Sequence, residues 1–292
     1  MGTIIKSVGT AMPVLHKGIV ALTTHATKQC LRNGGISARD IGMLLYAGVY
    51  NENHQGEPSI ASLIQNRIQK DKLRQMLFSR EPENIFSFDV HNGGGGILDA
   101  IHIADGLIAS GDLKYGLIIA GDTKPETGPS YNYNYSSSAG AVLLTNGPEK
   151  KGFRRFFSKT YPEFKNDLHS STNWDTGNFR FIIDQKEGYL EDCLKCAEDT
   201  THFFLEQEKL HPEEIGLLIT SMCPSGFRKD FIKRTGFKDK VNVKESNCVI
   251  YSAGLIFSLN YLFKNGIFNA SKNILFLTVG SGIAVSLSLY RN

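Results

Sequence analysis

The chain has 292 residues, 41% hydrophobic and 21% charged, with a formal net charge of +3. This is ordinary globular composition with enough apolar residues for a large core, which excludes extended disorder and fibrous repeats. The mildly basic balance demands no nucleic-acid partner. The longest apolar run, residues 274–290, is broken at Gly280, Ser281 and Gly282 and reads as two strands and a turn, not a membrane span.

Five cysteines (Cys30, Cys193, Cys196, Cys223, Cys248) make an odd and low count. No signal peptide is read in residues 1–13, so the expectation is reduced thiols in a cytoplasmic protein. Cys193-x-x-Cys196 is a lone CxxC inside a helical pattern, read as packing thiols and not as a zinc or redox site. No metal or cofactor is expected.

In chain order, a first strand is predicted at about residues 4–8. Residues 18–33 show helical spacing, with Ile19, Leu22, Ala26 and Leu31 near one face. Residues 41–48 form a continuous apolar strand suited to a buried parallel position, and 58–69 read as a helix. Residues 85–89 read as a strand running into Gly93–Gly96, followed by a helix at about 97–109, a Ser110-Gly111 turn and a strand at 115–120. Residues 123–138 are a loop rich in Pro, Gly, Tyr, Asn and Ser, and 139–145 a strand. Residues 146–152 look like a linker, and 152–184 are aromatic-rich but carry no clear pattern. Then come a long helix at 185–208, a strand at 215–222, a short basic helix at 228–235 and a strand at 241–243. An apolar helix at 252–265 precedes the last two strands at 274–279 and 283–290.

The chain is internally duplicated. Residues 36–45 match 210–219 in pattern. Gly96-Ile97-Leu98-Asp99-Ala100 through Leu117–Gly121 matches Gly254-Leu255-Ile256-Phe257-Ser258 through Phe276–Gly280. Two βαβ-rich halves, 1–150 and 151–292, with mainly parallel sheets packed together, give a layered α-β-α-β-α arrangement.

The stretch at 85–121 organises the rest. A strand turning sharply into a helix places one residue at the helix N-terminus, where free N–H groups and the dipole lower a thiol pKa and hold a nucleophile. Here that elbow carries only glycine. Its NGGGG run is neither GxGxxG followed by an acidic ribose residue nor a Walker loop, so it reads as close helix packing.

Ser37–Leu45, the elbow Phe88–Gly96, Ser110–Gly121, the SSAGAVLL run at Ser137–Leu144, Asp184–Leu190 and the stretch from Ile219 to the end resemble, in order and spacing, the ketoacyl-ACP synthase III branch of the thiolase fold. The resemblance covers nearly the whole chain and implies a thiolase-like α/β fold. Family members carry an acyl group on a cysteine as a thioester, and a histidine and an asparagine stabilise the enolate and its oxyanion. Carried over residue by residue, the three positions fall on Gly94, Ser221 and Val249 (or, one residue off, Ile250), and none of these supplies the family chemistry. Cys223 and Cys248 remain as alternative nucleophiles, with His91 as a candidate base. Gly280 and Gly282 match the family's glycine loop, which supplies backbone N–H groups near the thioester oxygen; a plain strand-to-strand turn is the other reading.

Arg228, Lys229, Lys233, Arg234, Lys238 and Lys240 cluster on and after the short basic helix. In the family such a patch meets acyl carrier protein or the phosphates of coenzyme A; a solvated helix face is the alternative. The expectation is a non-catalytic subunit pairing with an active homologue in fatty-acid or polyketide-type secondary metabolism, as a heterodimer or as a homodimer with itself. The region at 94–109 and 115–120 resembles the family's dimer-forming region, and the tyrosines of 131–135 are placed to reach the partner's pocket. The alternatives are an acyltransferase with displaced catalytic residues and an acyl-thioester binding protein.

Overall fold

The computed structural model describes residues 2–13, 18–52, 55–69, 85–124, 130–131, 134–175, 178–221, 224–237 and 249–292. The first half contains β1 (Gly2–Ala11), α1 (Ile19–Gly34), β2 (Met43–Tyr46), α2 (Ile60–Gln69), β3 (Phe86–Asp89), α3 (Gly96–Ala109), β4 (Tyr115–Asp122), β5 (Ser130–Tyr131) and β6 (Ser138–Gly147). The second contains β7 (Gly152–Thr160), β8 (Leu168–Asp175), β9 (Asn178–Gln185), α4 (Tyr189–Glu208), β10 (Leu217–Thr220), α5 (Phe227–Thr235), α6 (Gly254–Lys264), α7 (Ile267–Ala270), β11 (Asn273–Gly280) and β12 (Ala284–Arg291).

Nine strands run in the order β10-β11-β12-β7-β1-β6-β4-β2-β3, and a small sheet holds β5-β9-β8. The two halves meet at the β1–β7 pairing of Thr3 with Phe153. On either side of that join the strand order repeats: β3-β2-β4-β6-β1 is mirrored by β10-β11-β12-β7. The strand expected at 241–243, which would complete the second set, lies outside the described residues.

Alternation along the strands sorts side chains into three cores. Met43 and Leu45 join a central core with Ile97 and Ile101 of α3 and Leu255 and Leu259 of α6, and Ile274 and Phe276 enter it from the second half. Leu44 and Tyr46 turn the other way, onto Leu22 and Ala26 of α1 and Ile64 of α2. Leu275 and Leu277 face Leu194 and Phe204 of α4. With both faces covered, these strands read as unbroken apolar runs. Each fully buried Leu, Ile or Phe contributes about 1.5–3 kcal/mol. The result is α-β-α-β-α layering with α3 and α6 in the middle.

Four expectations are corrected. The sheet is mixed: parallel pairing is confined to β2 with β3 and β4 and to β10 with β11, while β1, β6, β7 and β12 pair antiparallel. The reason is that β6 follows β4, and β12 follows β11, with no crossover helix between. The unpatterned stretch 152–184 forms β7, β8 and β9, strands with polar exposed faces. β4 lies between β2 and β6 with both edges paired, so it cannot pair with another chain; among the described residues the sheet ends at β3. The duplication itself runs one residue out of the expected register. Gly96 and Gly254 each open a helix, and after the same interval Gly116 pairs with Met43 as Ile274 pairs with Leu217. Asp122, not Gly121, is therefore the counterpart of Gly280, since a one-residue slip would reverse every face.

Candidate functional site

The elbow between β3 and α3 is fixed from both sides. Asp89, at the end of β3, accepts the N–H groups of Ile60 and Ala61 at 2.8 Å each, capping α2 from a distance. Asn92 then turns the chain: its carbonyl accepts from the N–H groups of Gly95 (2.9 Å) and Gly96 (3.1 Å), and its amide donates to Asp99 of α3 at 2.6 Å. Asp99 also accepts from Ser286 of β12 at 3.0 Å, and Ser286 bonds Ser158 of β7 at 2.9 Å. The first turn of α3 is thereby tied to the second half.

Gly93–Gly95 form a 3₁₀ turn, with Gly93 at φ +50°. The turn presses against the connection between β11 and β12. A Cβ at Gly94 would lie 2.9 Å from the carbonyl oxygen of Val279, and one at Gly280 would lie 2.7 Å from that of Asn92. A Cβ at Gly93 would meet Ser281 N at 2.9 Å, Ser281 Oγ at 3.0 Å and the Tyr251 hydroxyl at 3.1 Å. The glycines are what the close approach requires. Gly282 completes the β11–β12 turn at φ +73°.

Ser221 is buried just past β10, its N–H donating to Leu277 at 3.2 Å. Continuing the β10–β11 register places it beside Thr278, which pairs with Ser286, which pairs with Ser158. A cross-strand row of four hydroxyl side chains thus runs beneath the first turn of α3, and Thr278 Oγ1, fully buried, has no hydrogen-bond partner among the described residues. Val249 is half-buried, and its carbonyl accepts from Ser136 N at 2.8 Å; Ile250 is buried. Elbow, Ser221 row and Tyr251 segment therefore border one region. Cys223 and Cys248 lie outside the described residues, and His91 is exposed.

The described cysteines are poor nucleophiles. Burial pushes the thiols of Cys30, Cys193 and Cys196 up to about 12. On α5, Phe227 and Phe231 anchor the helix inward, while Lys229 and Lys233 are exposed. Arg234 is engaged by Glu191 of α4, which raises the guanidinium and lowers the carboxyl pKa; Arg228 is half-buried. Lys238 and Lys240 lie outside the described residues. Among these residues no cluster suits a metal ion, and no helix is long and apolar enough to cross a membrane.

Two features escaped the sequence. Asp122 is fully buried, and its carboxylate accepts from Val49 N, Tyr50 N, Ser252 N and Ser252 Oγ at 2.8–3.1 Å. Burial raises its pKa and these four donors oppose the rise. The only hint was an acid closing an apolar strand. The second is an aromatic group of Tyr50, Tyr135, Phe181 and Tyr251. Tyr135, expected to reach toward a partner, packs at its own elbow, because Ser136 N ties its segment to Val249.

Comparison with known proteins follows this geometry. A family model described as 3-oxoacyl-[acyl-carrier-protein] synthase III matches residues 88–162, the elbow through β7. The beta-ketoacyl-[acyl-carrier-protein] synthase III of Clostridium perfringens is 23% identical over 92% of this chain and 83% of its own. The crystal structure of the Aquifex aeolicus synthase III superposes with TM-score 0.80 at 19% identity, over all of both chains. A Xanthomonas campestris OleA variant with bound lauric acid and lauroyl-CoA gives 0.79 at 14%, over 100% of this chain and 99% of that one. The protein therefore has a thiolase-like α/β fold over its full length. In sequence it is distantly similar to the ketoacyl-ACP synthase III proteins.

Proposed function

We propose that this chain is a non-catalytic synthase III-like subunit that retains an acyl-binding role and pairs with an active condensing enzyme or acyltransferase in fatty-acid or polyketide-type biosynthesis. One observation carries the reading: a Cβ at Gly94, the residue that the family resemblance matches to the cysteine, would lie 2.9 Å from the carbonyl oxygen of Val279, closer than real Cβ contacts. Ser221 and Val249, at the other two matched positions, offer no imidazole and no amide. Pairing is supported by β3, the last strand of the described nine-stranded order, where Phe86 is 60% exposed. Lys229 and Lys233 supply a positive face for an acidic carrier protein or a coenzyme A phosphate.

The test is intact mass after incubation with a panel of acyl-CoA thioesters, beside an active synthase III. No adduct here, with the control acylated, is the expected result. A stable adduct on Cys223 or Cys248 would instead make the chain an acyltransferase with displaced nucleophile.

A further inference from the structure

The duplication matches β7 to β1 residue for residue. Asp122 and Gly280 correspond, and their partners Ser138 and Ala284 carry the match through β6 and β12 to the next strands. Ser7, Gly9 and Ala11 of β1 therefore correspond to Arg155, Phe157 and Lys159 of β7, and the irregular step at Lys6 is matched by one at Arg154. These positions differ in cover. Ser7, Gly9 and Ala11 are buried, whereas Arg155 and Lys159 are exposed and Phe157 is half-buried.

The cause lies in the helix next to each strand. α1 lies directly on β1: a Cβ at Gly9 would meet Ala26 O at 2.3 Å and Cys30 N at 2.5 Å, Ser7 Oγ donates to Cys30 O at 2.8 Å, and Gln29 accepts from Thr10 N at 2.7 Å. Both α1 and α4 end one residue before a left-handed cap, Gly35 and Lys209, which aligns Gln29 with Phe203 and Cys30 with Phe204. In the second half two rings thus replace a glycine and a small thiol. Phe157 lies 5.3 Å from Phe203 and 6.2 Å from Phe204 between ring centroids. Their bulk holds α4 off β7 and over β11 and β12, and leaves Phe203 47% exposed.

The uncovered strand is cationic. Residues 150–159 hold Lys150, Lys151, Arg154, Arg155 and Lys159 and no acid, and without these five the chain would be net negative. All five are exposed. Arg155 meets Glu208 at 3.4 Å, and the Lys159 ammonium stands 4.6 Å from the centre of the Tyr161 ring. We propose that β7, with Phe203 beside it, docks an amphipathic helix of a partner protein, apolar along one side and acidic along its flanks, against the strand face that α1 covers on β1. Phe203 and Phe157 supply the aromatic anchor, and the cations form its rim. Asp199 and Glu206, exposed one turn to either side of Phe203, oppose an anionic bilayer laid flat across the ring, so a narrow acidic helix fits and a lipid surface does not. This docking uses neither β3 nor the lysines of α5.

Fluorescence anisotropy of the full chain with a labelled synthetic helix tests this. The probe is a hydrocarbon-stapled peptide of about eighteen residues, with leucine at i, i+3, i+4 and i+7 spacing and glutamate on both flanks. Saturable binding at low salt is expected. Phe203→Ser, and separately the combined reversal Lys150→Glu, Lys151→Glu and Lys159→Glu, should each weaken it about tenfold, while Lys229→Glu with Lys233→Glu should leave it within about twofold. The same peptide with lysine in place of glutamate should bind at least about tenfold more weakly. No saturable binding, or equal binding by wild type and both β7-face variants, overturns the proposal. A loss confined to the Lys229 and Lys233 pair also overturns it, assigning the peptide to α5. Sedimentation of wild type, but not of Phe203→Ser, with phosphatidylglycerol vesicles and no peptide binding would put a lipid surface there instead, which overturns it too. Should Phe203→Ser fold poorly by circular dichroism, the lysine reversal decides, since its three side chains are exposed.

Discussion

Asp122 Oδ2 accepts the N–H of Ser252 at 2.8 Å, joining the end of β4 to the segment that opens α6 across 130 residues of sequence. The same carboxylate holds the turn at Val49 and Tyr50. Asp122→Ala strands four donors, three of them buried, and is expected to cost about 2–4 kcal/mol in chemical denaturation. The pH dependence has a definite sign. Burial raises the pKa above its ordinary 3.8, so the neutral form's contribution is full below that value and is lost as pH rises through the raised one. Relative to Asp122→Asn, wild type should therefore lose stability as pH rises above about 4. A constant difference between the two proteins across that range would contradict this.

Gly94→Cys puts a cysteine at the position that the family resemblance matches to its nucleophile, without the space for it. Its Cβ would begin 2.9 Å from Val279 O, so either the elbow or the end of β11 must shift. The expected result is a lower Tm, a loss of about 1–3 kcal/mol and no acyl adduct by intact mass. A stable, readily acylated Gly94→Cys protein would show that the elbow has kept room for a nucleophile.

Thiol reactivity follows burial. Cys30, Cys193 and Cys196, with thiols pushed up to about 12, should resist iodoacetamide at neutral pH in the native protein and react after denaturation. Peptide mapping of alkylated native protein checks this. Rapid native labelling of Cys193 or Cys196 would reopen a redox role for the CxxC.

The basic helix α5 divides into engaged and available charges. Arg234 is engaged by Glu191, whereas Lys229 and Lys233 are exposed. Reversing both lysines to Glu should weaken binding to an acyl carrier protein by roughly tenfold at low salt, with the difference shrinking at high salt. Arg234→Ala should matter less. Surface plasmon resonance at two ionic strengths reads both effects, and equal losses from the two substitutions would count against this division.

The elements that escaped sequence reading share a cause. Long apolar strands and amphipathic helices such as α1 and α4 announce themselves through local period, and the elbow does so through its glycine run. β7, β8 and β9 do not, because most of β7 and β8 is exposed and polar and their pairing joins distant stretches of chain. Asp122 and the hydroxyl row Ser221, Thr278, Ser286 and Ser158 acquire meaning only once strand register is known. The one-residue slip in the repeat has the same origin, since sequence similarity tolerates a shift that side-chain parity forbids.

The join at Thr3 and Phe153 bears on how the chain is made. Every strand of β3-β2-β4-β6-β1 has left the ribosome once β6 at Ser138–Gly147 emerges, so that portion of sheet can close during synthesis. Its inner surface cannot. Leu255, Ile256 and Leu259 of α6, which cover it, are made more than a hundred residues later. A nascent chain therefore carries a finished sheet whose inner apolar side is covered only by α3 through most of the remaining translation. Slowing elongation within the second half would prolong that exposure and favour chaperone capture or aggregation over native yield.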